Sequence, residues 1–322
     1  MLVDDGSADR GGLVRPRSRV GHYARLLAPN TLAAARLPLD RDVPMRVDRI
    51  RRVARTARRP NRDRMRGLIA SPGGSVRWRS VTSPMLPCPD GALVRPIAVA
   101  TCDLDRAMML GRSIFPLPLH LGHECAAEVV EVGGNVTSVR VGDRVVVPFQ
   151  ISCGQCSACR RGHPASCLTV PPTSMYGFGI SGGLWGGALA DLMAVPFADA
   201  MLVPIPDGVD PAAAAGVADN ISDAYRQVAP HLPGLLATDP DAETLIVGGL
   251  DGNDSFTSST LLFTALIARA LGAKHISIVS GRPALRRRAE ALGFLAPDPR
   301  RPRDWPVAPL TVDGTRTPAG LR

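Results

Sequence analysis

The sequence has almost no lysine: Lys274 stands alone against 37 arginines. A skew that complete points to a GC-rich coding sequence rather than to a functional choice. Aromatic residues are also scarce, at 4%. Tyr23 is the only one among residues 1–64. Long apolar runs are missing too. The longest helix-like one, Leu261 to Leu271, contains Arg269 and is too short to span a bilayer. The N-terminus carries Asp4, Asp5 and Asp9 without an apolar stretch, so no signal peptide is visible and a cytoplasmic protein with reduced thiols is expected.

The formal net charge of +9 invites a nucleic-acid reading, but the charge is localised. Residues 1–64 hold 16 arginines and 7 aspartates, whereas residues 65–322 balance at 22 basic and 22 acidic side chains. Arg41 to Arg66 is Arg-dense, with interspersed Asp and Pro60, and reads as flexible or weakly helical. Such an arm could bind nucleic acid electrostatically. Without interleaved aromatics for stacking, that remains a remote alternative.

Four of the seven cysteines fall in one short stretch: Cys153, Cys156, Cys159 and Cys167, spaced C-x2-C-x2-C-x7-C. A tetrahedral zinc ion takes four thiolates at roughly 2.3 Å. The short loops supply three of them and the longer loop returns the fourth. Unrelated thiols and a disulfide cluster are the alternatives. In an intracellular chain this spacing favours metal. The site is closed and structural, with Arg160 and Arg161 beside it to offset the thiolate charge.

Upstream stand Gly122-His123-Glu124 and Val141-Gly142-Asp143-Arg144-Val145. The order of these motifs, followed by the cysteine lobe, resembles the zinc-dependent medium-chain alcohol dehydrogenases. The resemblance runs from about Met65 to the end of the chain, and Met65-Arg66-Gly67-Leu68-Ile69 resembles the family's usual start. It implies α/β plus β architecture. Residues 65–232 would be a GroES-like β-barrel catalytic domain and 233–322 an incomplete Rossmann doubly wound sheet. Residues 1–64 would be a flexible extension.

Strand-like stretches fit this plan: Ser75 to Trp78, Ala92 to Pro96, Ala126 to Val132, Arg144 to Val147 and Ala188 to Val195. Asp210 reads as an N-cap with Pro211 at the first helical position. Helices through Ala212–Ala215 and Ser222–Val228 follow, ended by Pro230 and Pro233. From Thr244 the pattern becomes β-α-β-α: strand Thr244–Val247, helix Leu261–Leu271, strand His275–Val279, helix Ala284–Leu292. Pro309 to Asp313 resembles the fourth strand of the fold, and Thr317 to Leu321 the start of its helix. A sheet ending there would expose an edge.

The resemblance also implies a second, catalytic zinc. Its ligands would be Cys102, in Cys102-Asp103-Leu104-Asp105, with His123 and Asp219. Three protein ligands leave one position open, and one thiolate with one carboxylate neutralises the ion. Asp105 would orient His123, and Glu124 would sit behind the metal. Singly, Cys102 reads as a buried hydrophobe, His123 as a core histidine and Asp219 as a helix-end residue. Cys125 reads as strand packing and Cys88 as a loop thiol. The family usually places Ser or Thr two residues after the first cysteine to relay a proton; here Leu104 occupies that position.

The expected cofactor turn reads Gly248-Gly249-Leu250-Asp251-Gly252, longer than the family's, with Asp251 and Asp254 where phosphates should lie. After the second strand come Ser280-Gly281-Arg282, a hydroxyl and a guanidinium that favour NADP over NAD. The implied reaction is hydride transfer between a small alcohol or aldehyde and NAD(P), with two zinc ions per chain. Phe115 and Trp185 are candidate pocket residues, and a homo-oligomer is compatible with the family. The alternative is a catalytically inactive, truncated zinc-binding fragment.

Overall fold

The computed structural model describes residues 63–72, 74–110, 113, 115–179, 181–250 and 258–314. Nearly all of the Arg-rich segment, Gly252 with its neighbours in the expected phosphate turn, and Thr317 to Leu321 lie outside the described residues.

In chain order, β1 (Arg64–Ser71) and β2 (Ser75–Thr82) pair as a hairpin. β3 (Ala92–Ala100), α1 (Asp103–Met109), β4 (Leu119–His120), β5 (Glu124–Val132) and β6 (Arg144–Val147) follow. α2 (Ser157–Arg160) lies among the four clustered cysteines. Next come β7 (Met193–Val195), α3 (Ala198–Met201), β8 (Val203–Pro204) and α4 (Pro211–Ala214). A 3-10 turn, Ala215–Ala218, leads to α5 (Asn220–Val228) and α6 (Leu232–Thr238). The last part alternates: β9 (Glu243–Val247), α7 (Ser258–Ala270), β10 (His275–Val279), α8 (Pro283–Ala291) and β11 (Leu310–Asp313).

Among the described residues these strands form three sheets. An antiparallel sheet of five strands has the order β7-β3-β5-β6-β8, and a smaller sheet the order β2-β1-β4. The five-stranded sheet packs Val94, Val129, Val145, Val195 and Met193 around the fully buried Tyr176. The third sheet is parallel, in the order β10-β9-β11. β9 and β10 are short apolar runs because both of their faces are covered. On α7, Leu261, Ala265 and Ala268 recur at helical spacing and bury against Ile246 and Ile278.

The parallel sheet follows the expected strand order. The predicted first strand, β9, is central, the second is β10, and β11 pairs on the other side, where a fourth strand belongs. The third strand shrinks to one parallel bridge, Ser277 to Leu295. Two local expectations change. Pro233 does not end a helix but sits in the first turn of α6, where its missing N–H costs nothing. The strand expected over Ala188–Val195 is regular only at β7. Upstream, residues 188–190 pair with neighbouring backbone only through single bonds, such as Leu189 N–H to the Leu121 carbonyl oxygen, and one bridge from Ala190 to Gly67. Among the described residues no helix is long and apolar enough to cross a membrane.

Candidate metal centres and the nucleotide helix

The sulfur atoms of Cys153, Cys156, Cys159 and Cys167 all lie within 4.8 Å of one another, and all four cysteines are free thiols. Four sulfurs around one zinc ion stand roughly 3.8 Å apart, and Cys156 and Cys167 are at 4.0 Å. Donors surround them. The N–H of Cys159 and of Leu168 point at Cys156 Sγ (3.5 and 3.4 Å), and the Thr169 hydroxyl donates to Cys153 Sγ at 3.1 Å. The two backbone donors lower the Cys156 thiol to about 6, so it is a ready thiolate at neutral pH. Arg160 and Arg161 are both exposed. The cluster gathers four sulfurs within one coordination sphere, and its donor set fits zinc.

The second cluster joins distant segments. Cys102 caps α1: its Sγ accepts from the N–H of Leu104 (3.3 Å), while Asp105 Oδ2 accepts from the N–H of Cys102 (3.0 Å). The other Asp105 oxygen lies 3.3 Å from His123 Nδ1. One buried carboxylate thus fixes both the helix start and the imidazole. His123 precedes β5 and is held by close backbone packing. Gly122 has φ +93° and leaves no room for a Cβ, which would meet Leu189 N at 2.6 Å. At Gly177 (φ +82°) a Cβ would lie 2.7 Å from the Gly122 carbonyl oxygen.

His123 Nε2 then faces Cys102 Sγ at 3.2 Å, Asp219 Oδ2 at 3.5 Å and Glu124 Oε1 at 3.9 Å. Ligand atoms around a mixed N/O/S zinc ion are separated by roughly 3.3–3.8 Å. With Nδ1 beside Asp105, Nε2 faces a sulfur and two carboxylates. Such convergence in a buried site needs a cation. Burial lowers the His123 pKa, but Asp105, Asp219 and Cys102 outweigh it and hold the ring well above its ordinary value. Burial, helped by Asp219, raises Glu124 to about 7.

Around His123 the surroundings are aromatic. Phe178 lies 5.2 Å away between ring centroids and Phe149 6.2 Å, and Phe115 packs edge-on to Phe178. Phe115 therefore borders this site, whereas Trp185 packs on the core of the five-stranded sheet. Leu104 joins the same apolar cluster as Phe115 and Phe149. Cys125 is buried beside Met193, and the Cys88 thiol donates to the Pro196 carbonyl oxygen. A cavity of about 620 Å³ lies elsewhere, between α5, α7 and β11, and none of the clustered ligands lines it.

On the nucleotide side, Gly248 and Gly249 are buried at the end of β9, tied to the strand end of β10 through Val279 and Gly281. Ser280 is fully buried, and its hydroxyl accepts from the N–H of Arg282. Arg282 Nη1 donates to Ser258 Oγ, at the first residue of α7 (2.8 Å). The first turn of α7 reaches the metal cluster through residues that the motifs did not single out: Asn220, Ser259 and Thr260. The available signal was a polar residue directly after Asp219 at a helix start.

Residues 88–207 match the model of the alcohol dehydrogenase GroES-like domain. A Mycobacterium tuberculosis protein, "Probable zinc-binding alcohol dehydrogenase", is 37% identical over 158 residues, covering 49% of this chain and 40% of the relative. A glutathione-independent formaldehyde dehydrogenase of Pseudomonas aeruginosa is 36% identical over 151 residues, 44% of this chain and 38% of that one. These alignments thus take in about two fifths of each curated relative's length. Among solved structures, the alcohol dehydrogenase TADH from Thermus sp. ATN1 superposes with a TM-score of 0.61 at 29% identity, over 74% of this chain and 65% of its own. The motif order, the GroES-like domain at residues 88–207 and the fold agree in making this chain similar to zinc-binding alcohol dehydrogenases.

Proposed function

We propose that the chain is an oxidoreductase that moves a hydride between a small alcohol or aldehyde and NAD(P). Cys102, His123 and Asp219 would hold a reachable zinc ion, and the four-cysteine cage a structural one. The observation that carries this is the convergence of a thiol, an imidazole and two carboxylates from three separate segments on one point. Zinc held there would act as a Lewis acid toward the alcohol oxygen, and a bound nicotinamide would accept the hydride. The chain's own groups do the rest. Asp105 keeps the His123 tautomer, with Nε2 directed into the cluster. Phe115 and Phe178 exclude water from one side. Glu124 stands behind the ligands, held by Asn220.

The division proposed is 1–64 as extension, 65–232 as catalytic domain and 233–322 as nucleotide-binding domain. That last boundary falls in the first turn of α6, whose Leu232 packs with the core of the parallel sheet. A cytoplasmic location and a homo-oligomeric state belong to the same reading.

NADP is preferred to NAD, because Ser280 and Arg282 stand together at the end of β10. Changing Arg282 to alanine is expected to weaken NADP binding about tenfold and to leave NAD binding nearly unchanged. Fluorescence titration of each dinucleotide reads this. Equal losses for both would refute the preference.

A second reading, a zinc-binding chain without turnover, has its own support. Leu104 offers no hydroxyl at the relay position. Asp103 Oδ2 accepts from the N–H of Ser259 at 3.3 Å, putting a carboxylate at the turn where a phosphate would sit. Alcohol-dependent appearance of reduced nicotinamide separates the readings. Its absence in a chain that holds both zinc ions and binds NADP would favour the second.

A further inference from the structure

Asn220 is 8% exposed and hydrogen-bonded at both ends of its amide. Nδ2 donates to Glu124 Oε1 at 2.5 Å. Oδ1 accepts from the hydroxyls of Ser259 (3.1 Å) and Thr260 (2.9 Å). The hydroxyls can supply protons and the carboxylate can take one, which fixes which way the amide faces. If Asn220 served only to dock α5 on α7, apolar contact or backbone partners would suffice. Instead its bonds run from the carboxylate next to His123 to the first turn of α7, the helix that would face a bound dinucleotide in the proposed function. That turn also meets the other ligand segments: Ser259 N–H donates to Asp103, next to Cys102, and Asn220 itself follows Asp219.

We infer that Asn220 is a positioning residue that couples metal occupancy at the Cys102–His123–Asp219 centre to dinucleotide binding at α7. This rests on the proposed function above. A cation at the centre attracts Glu124, and Glu124 is held by Asn220 Nδ2. An amide group is one rigid plane, so displacement at Nδ2 is carried to Oδ1 and on to the two hydroxyls. Coupling of this kind is reciprocal: the dinucleotide must favour the metal by the same factor that the metal favours the dinucleotide.

The test uses the full chain with cobalt(II) in the reachable centre and zinc in the cysteine cage. NADP is titrated with the centre loaded and after chelation has emptied it. The wild type is expected to bind NADP at least about fivefold more tightly when loaded, and NADP should shift the cobalt visible band. Asn220→Ala should still take up cobalt and bind NADP, but with affinities that agree within about twofold and a band that does not move. Should that variant fail to fold, the pair Ser259→Ala and Thr260→Val cuts the bridge from the other side. It should erase the coupling equally. A wild type without coupling, or variants that retain it, would overturn the inference and leave the proposed function standing. A wild type that gave no cobalt band would overturn both.

Discussion

Replacing His123 with alanine is expected to remove one of two zinc ions and to lower alcohol turnover by on the order of a thousandfold, about 4 kcal/mol in the barrier. The imidazole is the hub of its cluster. Its Nε2 faces a sulfur at 3.2 Å and carboxylate oxygens at 3.5 and 3.9 Å. Without it, Cys102 and Asp219 are two ligands on separate elements, with Glu124 already bonded to Asn220. The cysteine cage does not contain His123 and should keep its ion. Elemental analysis and initial rates check both parts. A variant that kept both metal equivalents and its rate would show that the ion binds elsewhere.

Replacing Cys156 with alanine is expected to act on stability instead. Zinc binding at a four-thiolate site is worth on the order of 10 kcal/mol, and loss of one ligand should empty the cage. Cys156 also caps α2 and accepts the N–H groups of Cys159 and Leu168. Its removal leaves those donors without an acceptor inside the lobe. The lobe has few alternatives: α2 is four residues long and buries only Ala158. Cys153 and Cys167, by contrast, belong to the core of the five-stranded sheet, so loosening of the lobe reaches that core. The melting temperature should fall by roughly 10 °C or more, with the His123 cluster still able to load metal below the transition. A melting curve unchanged from wild type would mean that the cage carries no structural load.

The legible parts of the sequence were those governed by local rules. The β-α alternation after Thr244 follows from short apolar runs and a helical repeat, and β9, α7, β10 and α8 lie within a few residues of where those patterns placed them. Asp210 caps α4 through Ala212 because an acid before Pro211 has few other uses. The cysteine spacing was legible for a similar reason: short loops bring their own ends together. Cys102, His123 and Asp219 could be named only by resemblance, since nothing local links α1, β5 and the turn before α5. Their convergence depends on glycines such as Gly122 and Gly177, whose role is visible only as the space a Cβ would fill. Asn220 was illegible for a different reason. An asparagine opening a helix reads as an ordinary helix-start residue, and its partners Glu124, Ser259 and Thr260 are 39 to 96 positions away. The strand expected over Ala188–Val195 is shorter because residues 188–190 bond to two distant segments, around Leu121 and Leu68, instead of one continuous partner strand.

Metal content of the full chain, measured side by side with Cys156→Ala, His123→Ala and the double variant, tests the account at its base. Two zinc equivalents in the wild type, one in each single variant and none in the double variant is the predicted result. A wild type that holds only one equivalent, unchanged in His123→Ala and lost in Cys156→Ala, would contradict it, because the Cys102–His123–Asp219 cluster would then hold no metal.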